Sequence, residues 1–214
     1  MTDTATDKSI PASLAGDEVP EPTWEIAHLF PAQGAWSEPE YLAMNANRLL
    51  EYSQGRLEVL TMPTQGHQLI VLFLYRALQA FIEAGNLGMA LVAPLRVRLW
   101  PGKYREPDVV FMLAEHAARR SNDFWDGADL VMEVVSDEDR RRDTETKRFE
   151  YARAGIPEYW IVDPWKERIT VLRLEEDRYV THGEFERSAQ AQSARLAGFG
   201  VDVAAALDSG KEKA

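Results

Sequence analysis

Glu133 stands in the middle of Leu130-Val131-Met132-Glu133-Val134-Val135, a run with no other polar side chain. A strand apolar on both faces belongs inside a sheet, where an uncompensated carboxylate costs several kcal/mol. Such a residue persists when a cation or a fixed partner holds it. The bland counterpart is a glutamate paired with a core arginine. Asp108 lies 25 residues earlier, at the head of a second apolar run, Pro107-Asp108-Val109-Val110-Phe111-Met112. Two strand-borne carboxylates separated by one loop can converge at neighbouring strand ends. Hard divalent cations such as Mg²⁺ take one or two carboxylates together with water and substrate phosphate. A turn cap beside Pro107 is the competing role for Asp108.

The elements that would position these residues alternate between helix and strand. Residues 37–50 read as a helix opened by Ser37 and Pro39, and residues 56–62 as a short strand after Gly55. Residues 66–84 form a long helix, apolar nearly all round in its first half and therefore expected to be buried. Strands follow at 89–92 and 95–100, where Leu95, Val97 and Leu99 alternate with Arg96 and Arg98. Proline opens the strand 107–112, 121–127 is a loop, and 130–135 is the strand of Glu133. A helix over 139–154 stops at Gly155 and Pro157, and a strand covers 159–162. A hairpin from 168–174 and 179–185 closes the chain. The expectation is a mixed α/β (α+β) domain over residues 23–206, with a flexible acidic tail at 1–22 and a short tail at 207–214.

Composition bounds the function. The 214 residues contain no cysteine, which excludes disulfides, zinc-thiolate sites and cysteine nucleophiles. No run approaches the length of a membrane span and no signal pattern opens the chain, so a cytoplasmic protein without a membrane partner is expected. The net charge is −11, which opposes general coating of nucleic acid. Its distribution is uneven. Residues 1–25 carry six acids and one lysine, whereas Arg96, Arg98, Lys103 and Arg105 form a stretch without an acid. Residues 140–153 hold six basic and three acidic side chains. Arg105 and Arg140 are thus candidate substrate contacts, and a solvated charged face is the alternative.

Three stretches taken together resemble a known family. They are Arg105-Glu106-Pro107-Asp108-Val109-Val110-Phe111, Asp129-Leu130-Val131-Met132-Glu133-Val134-Val135-Ser136, and Lys147, Tyr151 and Gly155 running into Ile156-Pro157-Glu158-Tyr159-Trp160-Ile161-Val162-Asp163. The combined pattern, over about residues 37–200, is similar to the Uma family of restriction endonucleases in the PD-(D/E)XK nuclease superfamily. The resemblance implies a restriction-endonuclease-like core, a mixed central β-sheet flanked by helices, here followed by the C-terminal β-hairpin. It also implies a Mg²⁺-dependent endonuclease, with Mn²⁺ as a substitute, that hydrolyses phosphodiester bonds of nucleic acid, chiefly DNA. Asp108, Glu133 and the Val134 carbonyl would hold the metal. The superfamily lysine belongs two residues after the second acid, where this chain has Val135. Lys147, on a helical face with Thr144, Tyr151 and Ala154, is its expected substitute; an exposed lysine paired with Asp143 or Glu150 is the other reading. Glu58 could add a carboxylate, and His67 could contact Glu58 or substrate. Cutting both strands with one site per chain calls for a homodimer. The alternative function is a catalytically inactive module of the same fold that binds nucleic acid or protein.

Overall fold

The computed structural model describes residues 30–45, 48–137 and 140–211. The chain divides into Met1–Ala32 and Gln33–Ala214, and the second unit holds all the secondary structure among the described residues. The expected acidic tail at 1–22 lies outside the described residues.

A short helix α1 (Glu38–Ala43) starts at Ser37, whose side chain and that of Glu40 cap each other's backbone amides. The sequence predicts helix as far as residue 50, yet Leu50 begins a strand. Leu50–Ser53 (β1) pairs antiparallel with Arg56–Val59 (β2), and that pairing outweighs local helix preference. Three further short strands, β4 (Val97–Trp100), β5 (Lys103–Arg105) and β7 (Trp125–Asp126), complete a five-stranded sheet in the order β2-β1-β5-β4-β7. Neither β5 nor β7 is evident in the sequence.

The larger sheet has six strands in the order β11-β10-β9-β8-β6-β3. They are β3 (Gly88–Val92), β6 (Val109–Leu113), β8 (Leu130–Val134), β9 (Glu158–Asp163), β10 (Arg168–Glu175) and β11 (Arg178–Glu186). Only β8 and β9 run parallel, and the helical segment between them supplies the crossover that a parallel pair requires. Alternation along β8 divides its side chains cleanly. Leu130, Met132 and Val134 join the core under helix α2 (Gln65–Gly85). Val131 and Val135 join a second core, on the other face, with Tyr151 and Ala152 of helix α3 (Lys147–Arg153). Glu133 shares that second face.

Helix α2 is long and apolar enough, by length and composition, to cross a membrane. One face of it, Ile70, Val71, Leu74, Leu78 and Ile82, is buried against the sheet. The expectation of burial all round fails at Leu69 and Leu72, which are 36% and 37% exposed, because a helix laid on a sheet covers only a stripe. The predicted C-terminal hairpin exists as β10 and β11 but does not end the fold. Strands β12 (Gln190–Gln192) and β13 (Gly200–Asp202) and helix α4 (Val203–Asp208) follow it. Leu207, expected in a tail, is buried in the first core. The contact continues to Gly210: a Cβ on Gly66 would lie 2.7 Å from the Gly210 carbonyl oxygen, so only glycine permits this approach at the start of α2.

Candidate active site

Register brings the two sequence-predicted acids together. Strands β6 and β8 are antiparallel with Val109 opposite Met132, so one step further sets Asp108 against Glu133. The Val134 amide donates to Asp108 Oδ2 at 2.7 Å, which fixes that carboxylate at the strand end. His67 enters from the first turn of α2, where its amide is capped by Thr64 Oγ1. Its Nε2 lies 3.2 Å from Asp108 Oδ2 and 3.0 Å from the Val134 carbonyl oxygen. Both partners accept, so Nε2 carries the proton, and Nδ1 is buried without a partner among the described residues. Burial lowers the His67 pKa, but the Asp108 hydrogen bond and charge, the Val134 carbonyl and Glu133 outweigh it, and the net shift is upward.

Glu133 is 2% exposed and both of its oxygens are engaged. Lys147 Nζ lies 2.9 Å from Oε2, and the Tyr151 hydroxyl donates to Oε1 at 2.5 Å. The ammonium is also 3.0 Å from Asp143 Oδ1. Burial and the nearby Asp108 and Asp143 carboxylates push Glu133 up to about 8 against the pull of Lys147. Asp143 is raised by the same kind of burial. Lys147 rises because four carboxylates outweigh its desolvation.

The segment before α3 explains this convergence. Residues Arg142–Thr146 form a π-helical turn, a wider coil common at functional sites. The Asp143 carbonyl accepts from the Tyr159 hydroxyl at 2.8 Å, and the Tyr159 ring meets Tyr151 edge to face at 5.2 Å. Asp143, Lys147 and Tyr151 thus lie on one inward face, four residues apart. Lys147 is therefore neither exposed nor paired with Asp143 alone. That spacing is legible in the sequence, but only the fold brings Asp143 and Tyr151 to the site.

A cavity of about 950 Å³ opens over the group, lined among others by His67, Asp108, Glu133, Val134, Asp143 and Lys147. Glu106 also lines it. This residue is buried, its Oε2 has no partner among the described residues, and it gave no signal in the sequence. Burial and Glu51 push its carboxyl up to about 8, opposed by Arg96 and the Leu50 amide. The folded protein therefore keeps this proton through a range in which the unfolded chain has lost it. Stability from this group is present below about pH 4.5 and is lost as pH rises towards 8. Glu106→Gln is expected to remove that slope, so the variant should be more stable than the parent at pH 9, by a few kcal/mol, and close to it at pH 5. Thermal melts across that range check this; parallel pH curves for the two proteins would contradict it.

Three other expected site residues lie elsewhere. Glu58 does not line the cavity but accepts from Arg105 at 2.6 Å and Arg142 at 2.8 Å. His67 contacts Asp108, not Glu58. Arg105 is a buried hub, bidentate to Glu150 and paired with Glu51 and Glu58, so its guanidinium has no face left for a phosphate. Arg140 clamps Asp163 with two bonds of 2.6 and 3.1 Å while remaining at the surface. The supposed basic stretch is largely neutralised internally: Arg98 pairs with Asp126 and Lys103 with Glu150, and Arg96 binds the carbonyls of Leu42 and Met44.

Among the described residues no three His, Asp or Glu side chains are arranged to hold a metal ion. The donor set is of another kind: two carboxylates, Asp108 and Glu133, and the Val134 carbonyl. Asp108 Oδ2 and the Val134 oxygen converge on one atom, the proton-bearing Nε2 of His67, while Lys147 and Tyr151 hold the Glu133 oxygens. Hard oxygens of this kind are what a Mg²⁺-class cation takes.

Comparison with known proteins bears on the fold and family. No curated protein matches the chain. Among solved structures it is similar to "a putative nuclease belonging to DUF820" from Anabaena variabilis ATCC 29413, with TM-score 0.68 and 16% identity over 85% of this chain and 100% of that one. That likeness confirms the expected nuclease-type mixed α/β fold. A family model, Uma2, described as "Putative restriction endonuclease", matches residues 36–205. The chain belongs to the Uma2 family of restriction-endonuclease-like proteins.

Proposed function

We propose that this protein is a metal-dependent endonuclease that hydrolyses phosphodiester bonds of DNA at the Asp108, Glu133 and Lys147 site. The observation that carries this reading is the Lys147 ammonium 2.9 Å from buried Glu133. It supplies from a helix the cation that Val135, two residues after the acid, cannot. Asp108, Glu133 and the Val134 carbonyl would hold Mg²⁺, or Mn²⁺ in its place. A bound ion of this class lowers the pKa of a water and polarises a phosphate oxygen. Lys147 offers an ammonium, preorganised by Glu133 and Asp143, to the charge that develops on the phosphate. Tyr151 holds Glu133 in place, and His67 holds Asp108. A symmetric dimer would place two such sites on the two strands of a duplex.

The test joins binding to chemistry. Mg²⁺ or Mn²⁺ should raise the melting temperature of the parent protein but not of Glu133→Gln. Because the Glu133 carboxyl titrates near 8, that rise should grow between pH 7 and 9, as the ion competes with fewer protons. Supercoiled plasmid incubated with Mn²⁺ should be nicked by the parent and not by Asp108→Ala. Equal nicking by both removes the site from the reaction. A second reading, an inactive module of the same fold, draws on the internal neutralisation of Arg105 and its neighbours. It predicts a thermal shift without nicking.

A further inference from the structure

Trp165 is half exposed, yet it lines the same cavity as Asp108, Glu133 and Lys147. It sits in the turn between β9 and β10, and this turn is firmly tied. Asp163 Oδ1 accepts from the amides of Trp165 at 3.1 Å and Lys166 at 3.0 Å. The same carboxylate is clamped by Arg140, whose guanidinium carbon lies 5.6 Å from the centre of the Trp165 ring. One face of the indole is thus backed by a cation. Two further exposed apolar side chains, Met62 and Leu72, line the cavity as well. Isolated exposed apolar residues are unremarkable. Three of them sharing a cavity with a buried acid and lysine mark a surface for something flat and apolar that is attached to something anionic.

Resting on the nuclease reading above, we propose that Trp165 is a stacking platform for an unpaired nucleobase, and that the strand entering the cavity is single-stranded or locally opened. A cavity of about 950 Å³ would be about 12 Å across if it were a sphere, the width of one DNA groove and less than that of a whole duplex. It falls in the range that encloses a ligand of nucleotide size, roughly 300–1,000 Å³. An indole stacks on any base, so the platform sets strandedness and register, not sequence. A cation for the flanking phosphates is Arg48 on the cavity lining; Lys211 also lines it and is paired with Asp208 at 2.8 Å. Asp137 and Glu167 line the cavity as well, and Glu167 is already paired with Arg187 at 3.1 Å.

The experiment measures binding of a fluorescein-labelled twelve-nucleotide thymidine strand, and of the same strand in a duplex, by fluorescence anisotropy. Ca²⁺ replaces Mg²⁺ to suppress cutting. The full chain should bind the single strand more tightly than the duplex. Trp165→Ala should weaken single-strand binding about 10- to 100-fold, with Trp165→Phe recovering most of the loss. An abasic site placed at successive positions should reproduce the loss at one position with the parent protein, which needs no variant to fold. Equal affinity of parent and Trp165→Ala overturns the proposal, as does preference for duplex or indifference to every abasic position. The nuclease reading fails separately, through plasmid nicking that Asp108→Ala does not reduce.

Discussion

Lys147→Met is expected to lower Mn²⁺-dependent cleavage by about 10² to 10³-fold, the cost typical of removing one preorganised group that faces developing charge. The structure makes this a replacement with few compensations. Lys147 is 6% exposed, and among the described residues no other lysine or arginine is paired with Glu133. Arg142, in the turn before the helix and also lining the cavity, is committed to Glu51 and Glu58. Without the ammonium, Glu133 and Asp143 remain buried beside Asp108, and like charges in a low dielectric draw protons. Both carboxyls should then titrate still higher than in the parent, so raising the pH should restore little. Lys147→Arg should recover little activity, because a planar fork cannot take the place of a compact ammonium between two carboxylates. Initial rates on supercoiled plasmid, beside circular dichroism melts, decide the matter. A folded Lys147→Met protein cutting within threefold of the parent would remove the lysine from the reaction.

Glu133 stood out because a single acid in an apolar strand has no local reason to be there, and the structure supplies a distant one. Asp108 rests more on the family resemblance than on its own strand, and the antiparallel register of β6 and β8 explains why 25 residues suffice. Lys147 is implied by that resemblance, with helical periodicity setting its face. Asp143, four residues before Lys147, joins the same face, as an i, i+4 pair does. The charged partners of Arg98, Lys103 and Arg105 are not legible. They lie 28 to 54 residues away in sequence, and β1 and β5 are too short to give a pattern. A stretch without local acids therefore read as a surface for phosphate, when it is the interior of a second, smaller sheet. Strands β12 and β13 were missed for the same reason, since three residues carry no period.

That interior sets the largest expected effect on stability: Arg105→Met should cost about 4 kcal/mol. Arg105 is 2% exposed. It donates from Nε and Nη2 to both oxygens of Glu150 at 2.7 and 2.9 Å, and from Nη1 to Glu51 and to Glu58. Arg142 shares Glu51 and Glu58, and Lys103 shares Glu150 at 2.7 Å. Three cations thus balance three carboxylates, and removing the central one leaves an excess of buried negative charge. Burial alone would raise Glu51, yet the charges of Arg105, Lys147 and Arg142 and the Glu106 amide bring it down to about 2. A carboxyl depressed in the folded state stabilises above its unfolded pKa, near 4.5, and loses that contribution as pH falls towards 2. Arg105→Met should weaken this depression, so its deficit against the parent should be largest at neutral pH and shrink below pH 4. Arg105→Lys should remain well short of the parent, because an ammonium cannot make the bidentate contact with Glu150. Since Arg142 and Glu150 flank the turn and helix of Asp143 and Lys147, the loss should reach the active site as well. Cleavage should fall with stability, without the change in salt dependence that loss of a phosphate contact produces. Urea denaturation at pH 7 and pH 3.5 measures the first effect and a salt titration of binding the second. A cost below about 1 kcal/mol at neutral pH would show that the network is incidental to the fold.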